Sequence, residues 1–358
     1  MNTKRLINSF CELVSLDSPS FGERAVADYL AEKLRALGFE TREYAIEGGD
    51  SGNLYGYLPG SGKASELPPV LLCAHMDTVE PSRGKRAVIR EDGTITSGGD
   101  TVLGADDFAG IAAILEAIQA SEAHRPIEVL FCPAEEVYGK GSAQFDISVL
   151  KSQECYVLDL GGKVGTAAYK APTIISWEAK VHGKAAHAGF APQEGVHAIQ
   201  LAAKVIAELP LGRVDGETTC NAGLISGGTA TNIIPDLCVV KGEIRSFSHS
   251  KALERAVLVK AAFETRCEVE FSSAVNITAY ETPLDAPVAE RFREACERAG
   301  LSAEFVPTFG GSDYNHFAQK GLSGLVIACA MNNVHSRAEF TAIAELENVT
   351  RLTMELIR

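Results

Sequence analysis

The chain has 358 residues, of which 46% are hydrophobic and 22% are charged, and its formal net charge is −14. This composition is typical of a globular protein, and the length predicts two domains rather than one core. The negative charge disfavours nucleic acid and anionic membranes as partners. Nine cysteines without a Cys-x-x-Cys pair indicate buried free thiols and a cytoplasmic location. No apolar run reaches transmembrane length, and the N-terminus lacks the apolar core of a signal peptide.

The first half of the chain alternates between predicted helices and predicted strands. Helices are predicted over 3–16, 22–37 and 108–120, and strands over 40–45, 53–58, 70–73, 127–132 and 156–158. Asp92-Gly93 is a hairpin signal between two further short strands. This alternation predicts an α/β sheet that is covered on both faces, with the functional residues at the strand ends.

The pattern changes near Pro172. Strands are predicted over 174–181, 219–225, 237–246 and 269–271, and helices over 193–209 and 253–263. Two strand–helix–strand units of antiparallel character predict a small ferredoxin-like α+β domain. After Pro283 the α/β pattern returns. We therefore expect one catalytic domain, 1–172 and 283–358, interrupted by an inserted domain, 173–282.

Acidic and imidazole side chains collect where these predicted elements end. They are His75, Asp106 or Asp107, Glu135, Glu136, Asp159 and His335. Zinc binds imidazole nitrogen and carboxylate oxygen, and a carboxylate that bridges two ions produces a two-metal hydrolytic site. For any one residue, surface charge is the simpler explanation, and it is the expectation for Asp107. The whole set predicts a metal site, but spacing leaves the bridging aspartate and the metal-binding glutamate open.

His75 and Asp77 lie two positions apart after a predicted strand, so their side chains are expected on the same face. An imidazole beside a carboxylate is what a metal ligand and its orienting partner require. A hydrogen-bonded surface pair is the alternative interpretation of these two residues alone.

Short stretches around these residues resemble one known family. They are 74–78 (AHMDT), 104–107 (GADD), 133–136 (PAEE), 159–162 (DLGG), 183–189 (GKAAHAG), 227–235 (GGTATNIIP), 242–245 (GEIR), 310–313 (GGSD) and 335–336 (HS). Together they resemble the di-zinc peptidase and amidohydrolase family of peptidase T, carboxypeptidase G and the aminoacylases, with peptidase T and its relatives most similar. The resemblance covers nearly the whole chain. It implies a zinc-exopeptidase-like catalytic domain, a mixed sheet covered by helices, with an inserted lid that also serves dimerisation.

The resemblance also implies roles for the clustered residues. Two divalent ions are expected, with zinc preferred over cobalt or manganese. Glu135 is expected to act as the general base that activates a water at the metal site, and Asp77 to orient His75. The terminal ligands implied are His75, Glu136, Asp159 and His335, and the implied bridge is Asp106.

Three residues of the inserted domain are implied to contact the substrate. His187 would polarise the scissile carbonyl or stabilise the oxyanion, and Asn232 would donate to the substrate backbone. Arg245 would form a forked contact with a substrate carboxylate, and an ion pair with Glu243 is an equal alternative.

The function expected from the sequence is that of a metal-dependent exopeptidase for short peptides, of the tripeptide aminopeptidase kind. An N-acyl amino acid amidohydrolase or a carboxypeptidase with the same machinery is the alternative enzyme. A non-catalytic metal-binding protein is the third hypothesis, and the intact Glu135 argues against it. A homodimer formed through the inserted domain is expected.

Overall fold

The computed structural model describes residues Met1–Arg358. The chain divides into two compact units. Unit 1 comprises Met1–Tyr169, Glu281–Thr308 and Ser312–Arg358, and unit 2 comprises Lys170–Tyr280 and Phe309–Gly311. None of the helices has the length and the apolar composition that crossing a membrane requires.

The structure contains nine α-helices and nineteen strands. The helices are α1 (Thr3–Val14), α2 (Arg24–Ala36), α3 (Ala105–Ala120), α4 (Lys140–Gln144), α5 (Ala198–Glu208), α6 (His249–Glu264), α7 (Pro287–Arg298), α8 (Asp313–Gln319) and α9 (Ile343–Leu356). The first strands are β1 (Glu40–Ala45), β2 (Gly52–Leu58), β3 (Val70–His75), β4 (Ala87–Ile89), β5 (Thr94–Ser97), β6 (Ile127–Cys132), β7 (Glu154–Leu160), β8 (Thr166–Ala171) and β9 (Thr173–His182). The others are β10 (Ala186–His187), β11 (Gly212–Arg213), β12 (Thr218–Gly227), β13 (Ile233–Ile234), β14 (Leu237–Ser246), β15 (Glu268–Ile277), β16 (Tyr280–Glu281), β17 (Glu304–Pro307), β18 (Ser323–Ala328) and β19 (Phe340–Ala342).

The main sheet of unit 1 is mixed, with the strand order β1-β2-β6-β3-β7-β18-β8-β16 and with β17 beside β8. Strands β6, β3, β7 and β18 are parallel neighbours, whereas β2 is antiparallel to β6. Every residue of β3 and β6 is buried, as expected for parallel strands that are covered on both faces. The predicted α/β fold is confirmed, and the carboxyl ends of β6, β3 and β7 lie at one edge of the sheet.

Helix α3 packs in the centre of unit 1, and nearly all its side chains are buried. A helix that is apolar on every side must be enclosed by other elements. It contacts α1 and α9 as well as strands β3 and β7. This position brings the beginning of α3 to the strand ends.

Unit 2 contains the predicted ferredoxin-like arrangement. In chain order it runs β9-α5-β12-β14-α6-β15, and its antiparallel sheet has the order β11-β12-β14-β9-β15. The side chains of Trp177, Val181, Val240 and Phe263 are buried together between this sheet and its helices.

A separate hairpin in unit 1 joins β4 to β5 around Gly93, whose φ of 83° suits glycine in such a turn. The Asp92-Gly93 signal predicted this hairpin.

Candidate metal centre

The first cluster joins the end of β3 to the beginning of α3. His75 is the last residue of β3, and its Nε2 lies 2.9 Å from Oδ1 of Asp106. Asp159, near the end of β7, completes a group whose possible ligand atoms all lie within 4.8 Å of one another. One imidazole and two carboxylates at this spacing form a ligand set that suits a divalent cation.

A second cluster uses the other oxygen of Asp106. Nε2 of His335 lies 3.3 Å from Oδ2 of Asp106 and 3.0 Å from Oε2 of Glu136. The ligand atoms of these three residues also lie within 4.8 Å of one another. Asp106 therefore belongs to both clusters, with one carboxylate oxygen directed towards each histidine. This is the arrangement that a carboxylate bridging two cations requires.

The clustered carboxylates are buried with too little positive charge around them. Burial raises the pKa of Glu135 and of Asp159 well above their ordinary ranges. Burial also acts to raise the pKa of Asp106, but hydrogen bonds from His335 and His75 lower it overall. Hydrogen bonds to Asp106 and Glu136 raise the pKa of His335 to about 10. The site therefore favours additional positive charge.

The site contains a buried carboxylate oxygen that is free to bind a cation. Oε1 of Glu136 is buried and has no hydrogen-bond partner, so a strong acceptor oxygen is available inside the cluster. Such an orphaned oxygen is costly unless a proton or a cation compensates it. With the mixed imidazole and carboxylate donors, this observation fits divalent metal ions.

Asp77 holds the backbone that carries the two glutamates. Its carboxylate accepts hydrogen bonds from the amides of Glu135 (2.9 Å) and Glu136 (3.2 Å), and from the hydroxyl of Ser20 (2.6 Å). Nδ1 of His75 instead lies 2.9 Å from the backbone carbonyl of Asp77, while the Asp77 carboxylate lies 3.5 Å from the same nitrogen. Asp77 thus contacts His75 chiefly through its main chain.

The sequence predicts that Asp107 lies on the surface, and this prediction is wrong. Asp107 is buried, and its carboxylate accepts hydrogen bonds from the backbone amide of His75 (3.2 Å) and from the thiol of Cys329 (3.4 Å). The peptide bond between Asp106 and Asp107 is cis. Asp107 therefore supports the end of β3 and lies in neither cluster.

Sequence reasoning missed two buried carboxylates that hold the site's loops. Glu23 accepts hydrogen bonds from the amides of Phe21 (2.7 Å) and Ala134 (3.0 Å), and Ala134 has a left-handed φ of 57°. Glu339 accepts from amides just before and at Asp106. A single glutamate outside the recognised motif residues carries no signal that distinguishes it from surface charge.

The three residues expected to bind substrate lie in unit 2. Nδ1 of His187 accepts from the amides of Gly189 and Phe190, both at 3.1 Å, and its ring stacks on Phe190. The carbonyl of Asn232 accepts from the Ala188 amide, so the loops of His187 and Asn232 are joined within unit 2.

Arg245 is engaged by other groups of unit 2. Its Nε and Nη2 donate to the two carboxylate oxygens of Glu243 at 2.8 and 3.1 Å. Its Nη1 donates to the carbonyl of Phe309 at 2.7 Å. The ion-pair alternative is therefore present in the structure.

Comparisons with known proteins identify the family to which the chain belongs. Residues 53–199 match a model of peptidase family M28, and residues 169–272 match a peptidase dimerisation domain. The aminopeptidase PepT of Bacillus cereus is 34% identical, with a TM-score of 0.89, over 100% of this chain and 98% of that one. The chain belongs to the peptidase T family of metallopeptidases.

Two further relatives of this peptidase T-family chain extend the comparison. A Staphylococcus aureus tripeptidase structure is 31% identical, with a TM-score of 0.94, over 100% of this chain and 98% of that one. The Bacillus subtilis protein YqjE is 35% identical over 100% of this chain and 98% of its own length. Membership in the family makes this chain a metallopeptidase. The residues matched by the two domain models lie inside the full-length alignments with these relatives.

Proposed function

We propose that this metallopeptidase uses two divalent cations, with zinc preferred over cobalt or manganese. His75 and Asp159 would hold one cation, Glu136 and His335 the other, and Asp106 both. The division of the two Asp106 oxygens between the two histidines is the observation that carries this proposal. When bound, the cations would polarise the scissile carbonyl and lower the pKa of the attacking water.

Glu135 is the proposed general base. It belongs to neither ligand cluster, so its carboxylate is available to take a proton from the attacking water and to deliver it to the leaving amine. Burial raises the pKa of Glu135, which brings a carboxyl group closer to the range in which it can both accept and donate a proton. Asp77 holds the backbone amide of Glu135 and thereby positions the base.

We propose that the substrates are tripeptides with a free amino terminus. The support is the similarity over the whole chain to structures described as a tripeptidase and as an aminopeptidase. His187, Asn232 and Arg245 of unit 2 are the proposed substrate-binding residues, with His187 acting on the scissile carbonyl.

A peptide panel tests this assignment. The protein loaded with zinc, cobalt or manganese would be given dipeptides, tripeptides and tetrapeptides with free or acetylated amino termini, and Glu135→Gln would serve as the inactive control. The proposal expects tripeptides with a free amino terminus to have the highest kcat/KM and acetylation to abolish turnover. Preferential cleavage of acetylated substrates would instead identify an amidohydrolase or a carboxypeptidase.

We also propose a homodimer that forms through the inserted domain, 173–282. The match of residues 169–272 to a peptidase dimerisation domain supports this. In unit 2, β11 pairs with β12 only near Thr219 and Cys220, which leaves the later part of that strand at the sheet edge. Leu224 and Ile225 in this part are 68% and 54% exposed. An open edge with exposed apolar side chains is suited to pairing with a second copy.

A cytoplasmic location is the remaining proposal. All nine cysteines are free, and Cys73 and Cys132 remain thiols although their sulfur atoms lie 3.9 Å apart. Free thiols this close are typical of a reducing compartment. Cell fractionation followed by immunoblotting would test the location, and recovery from the medium or the membrane fraction would contradict it.

A further inference from the structure

Glu339 is a buried carboxylate that binds three backbone amides. Its residue exposure is 1%. Oε2 accepts from the amides of Leu103 (2.7 Å) and Gly104 (2.8 Å), and Oε1 accepts from the amide of Asp106 (3.0 Å). All three amides belong to the segment that leads into helix α3. Both oxygens of the carboxylate are therefore occupied by one loop.

Helix α3 has no local side chain that could do this. Asp106 and Asp107 have non-helical backbone angles, so the regular part of α3 begins after them, and the backbone amides of the irregular lead-in need acceptors from elsewhere. The residue before α3 is Gly104, which forms no side-chain cap. Glu339, distant in sequence, supplies the acceptors for three amides of this irregular lead-in.

Glu339 also belongs to the segment that carries His335. His335 adopts a left-handed backbone conformation with φ of 59°, and its side chain is 54% exposed. Packing therefore constrains His335 little, and its position depends on how its loop is anchored. The amide of Glu339 donates to the carbonyl of Ser336 (3.1 Å), which closes a turn directly after His335. Glu339 thus holds the backbone that leads to Asp106 and also the turn that follows His335.

We propose that Glu339 is a positioning residue that sets the separation of Asp106 and His335 and so determines the affinity of the cation held by His335. This inference rests on the two-cation function proposed above. The cation held by His75 depends less on Glu339, because β3 and the contacts of Asp107 and Asp77 fix His75 independently.

The proposal requires a carboxylate of glutamate length. In Glu339→Gln, an NH2 group would face at least one backbone amide, which replaces an acceptor by a donor. In Glu339→Asp the charge remains, but the shorter side chain cannot reach all three amides. Glu347 offers a matched control, because it lies on helix α9, after Glu339 in the chain, and accepts from the hydroxyl of Thr3 rather than from the loop that carries His335.

The experiment is a titration of the metal-free full-length protein with Co²⁺, in which calorimetry and visible absorption detect binding. Wild type and Glu347→Gln are expected to bind two ions per chain. Glu339→Gln is expected to bind one ion normally and the second about 10- to 100-fold more weakly, as for other residues that orient metal ligands. Glu339→Asp should lie between them. Turnover of Glu339→Gln should recover as Co²⁺ is raised, with KM for peptide unchanged.

The possible failures are distinguishable. Fewer than two Co²⁺ ions bound by wild type would overturn the two-cation function and this inference with it. Two normal sites in both Glu339 variants would overturn only the inference. Equal weakening of both sites, or failure of both variants to fold, would also overturn it, because Glu339 would then support the fold generally rather than one cation position.

Discussion

The backbone amide of Glu135 donates a hydrogen bond of 2.9 Å to the carboxylate of Asp77. The main chain of the proposed base is therefore held without any contribution from its own side chain. Since Glu135 is also outside both ligand clusters, replacing its side chain should leave the metal centre intact.

The first prediction follows from this separation of roles. Glu135→Ala should retain the metal content of wild type and lose roughly 10²- to 10⁴-fold in kcat, the usual effect of removing a general base. Elemental analysis and steady-state kinetics on the same preparation would measure both quantities. Activity within a few-fold of wild type in the metal-loaded variant would show that another group is the base.

The second prediction concerns the histidines. His75→Ala and His335→Ala should each lower the number of metal ions per chain, because each removes one proposed ligand. His187→Ala provides the control, since it should reduce kcat while leaving metal content unchanged. Two ions per chain in both ligand variants would contradict the assignment.

The third prediction concerns pH and Glu23. Burial, and then the nearby charge of Asp77, raise the pKa of Glu23 to about 7. Because its folded-state pKa lies above its unfolded value, the folded form binds the proton more tightly. The stability that this proton provides is present below the unfolded pKa and is lost as pH rises through about 7. Glu23→Gln should therefore gain thermal stability relative to wild type as pH rises across this range.

Thermal unfolding of metal-free wild type and Glu23→Gln, well below and well above the Glu23 pKa of about 7, would measure this change in relative stability. Glu32→Gln is the matched control, because Glu32 is exposed on helix α2, which Glu23 directly precedes. Its stability relative to wild type should stay constant. The same difference in melting temperature between Glu23→Gln and wild type at both pH values would show that the Glu23 proton does not contribute to stability.

The fourth prediction distinguishes the two interpretations of Arg245. If it binds a substrate carboxylate, Arg245→Ala should narrow the difference in KM between tripeptides with a free and an amidated carboxyl terminus. Glu243→Gln should preserve this difference, because the guanidinium remains. Equal slowing of both substrates by Arg245→Ala would leave only the ion pair with Glu243 that the structure shows.

The fifth prediction concerns assembly. Leu224→Glu should shift the protein from dimer to monomer in analytical ultracentrifugation, because it places charge at the open edge of β12. Val257→Glu is the control, since Val257 is 65% exposed on helix α6, away from that edge. A monomeric wild-type protein, or a Leu224→Glu dimer as stable as wild type, would refute the proposed interface.

The sequence predicted the central elements well because their signals are local. The apolar run before His75 and the Asp92-Gly93 turn correspond to β3 and to the β4–β5 hairpin. The buried position of Asp107 was not predictable from spacing, because it depends on contacts with the His75 amide and with Cys329. Glu23 and Glu339 were missed for the same reason, since their partners lie far away in the chain.

The order of strands in the main sheet has a consequence for protein synthesis. Strand β18 separates β7 from β8, although it is made from residues Ser323–Ala328. As the chain leaves the ribosome, β7 and β8 emerge long before the strand that must lie between them. His335 and Glu339 emerge later still. A nascent chain therefore cannot complete its sheet or degrade peptides until residues 323–339 have been made.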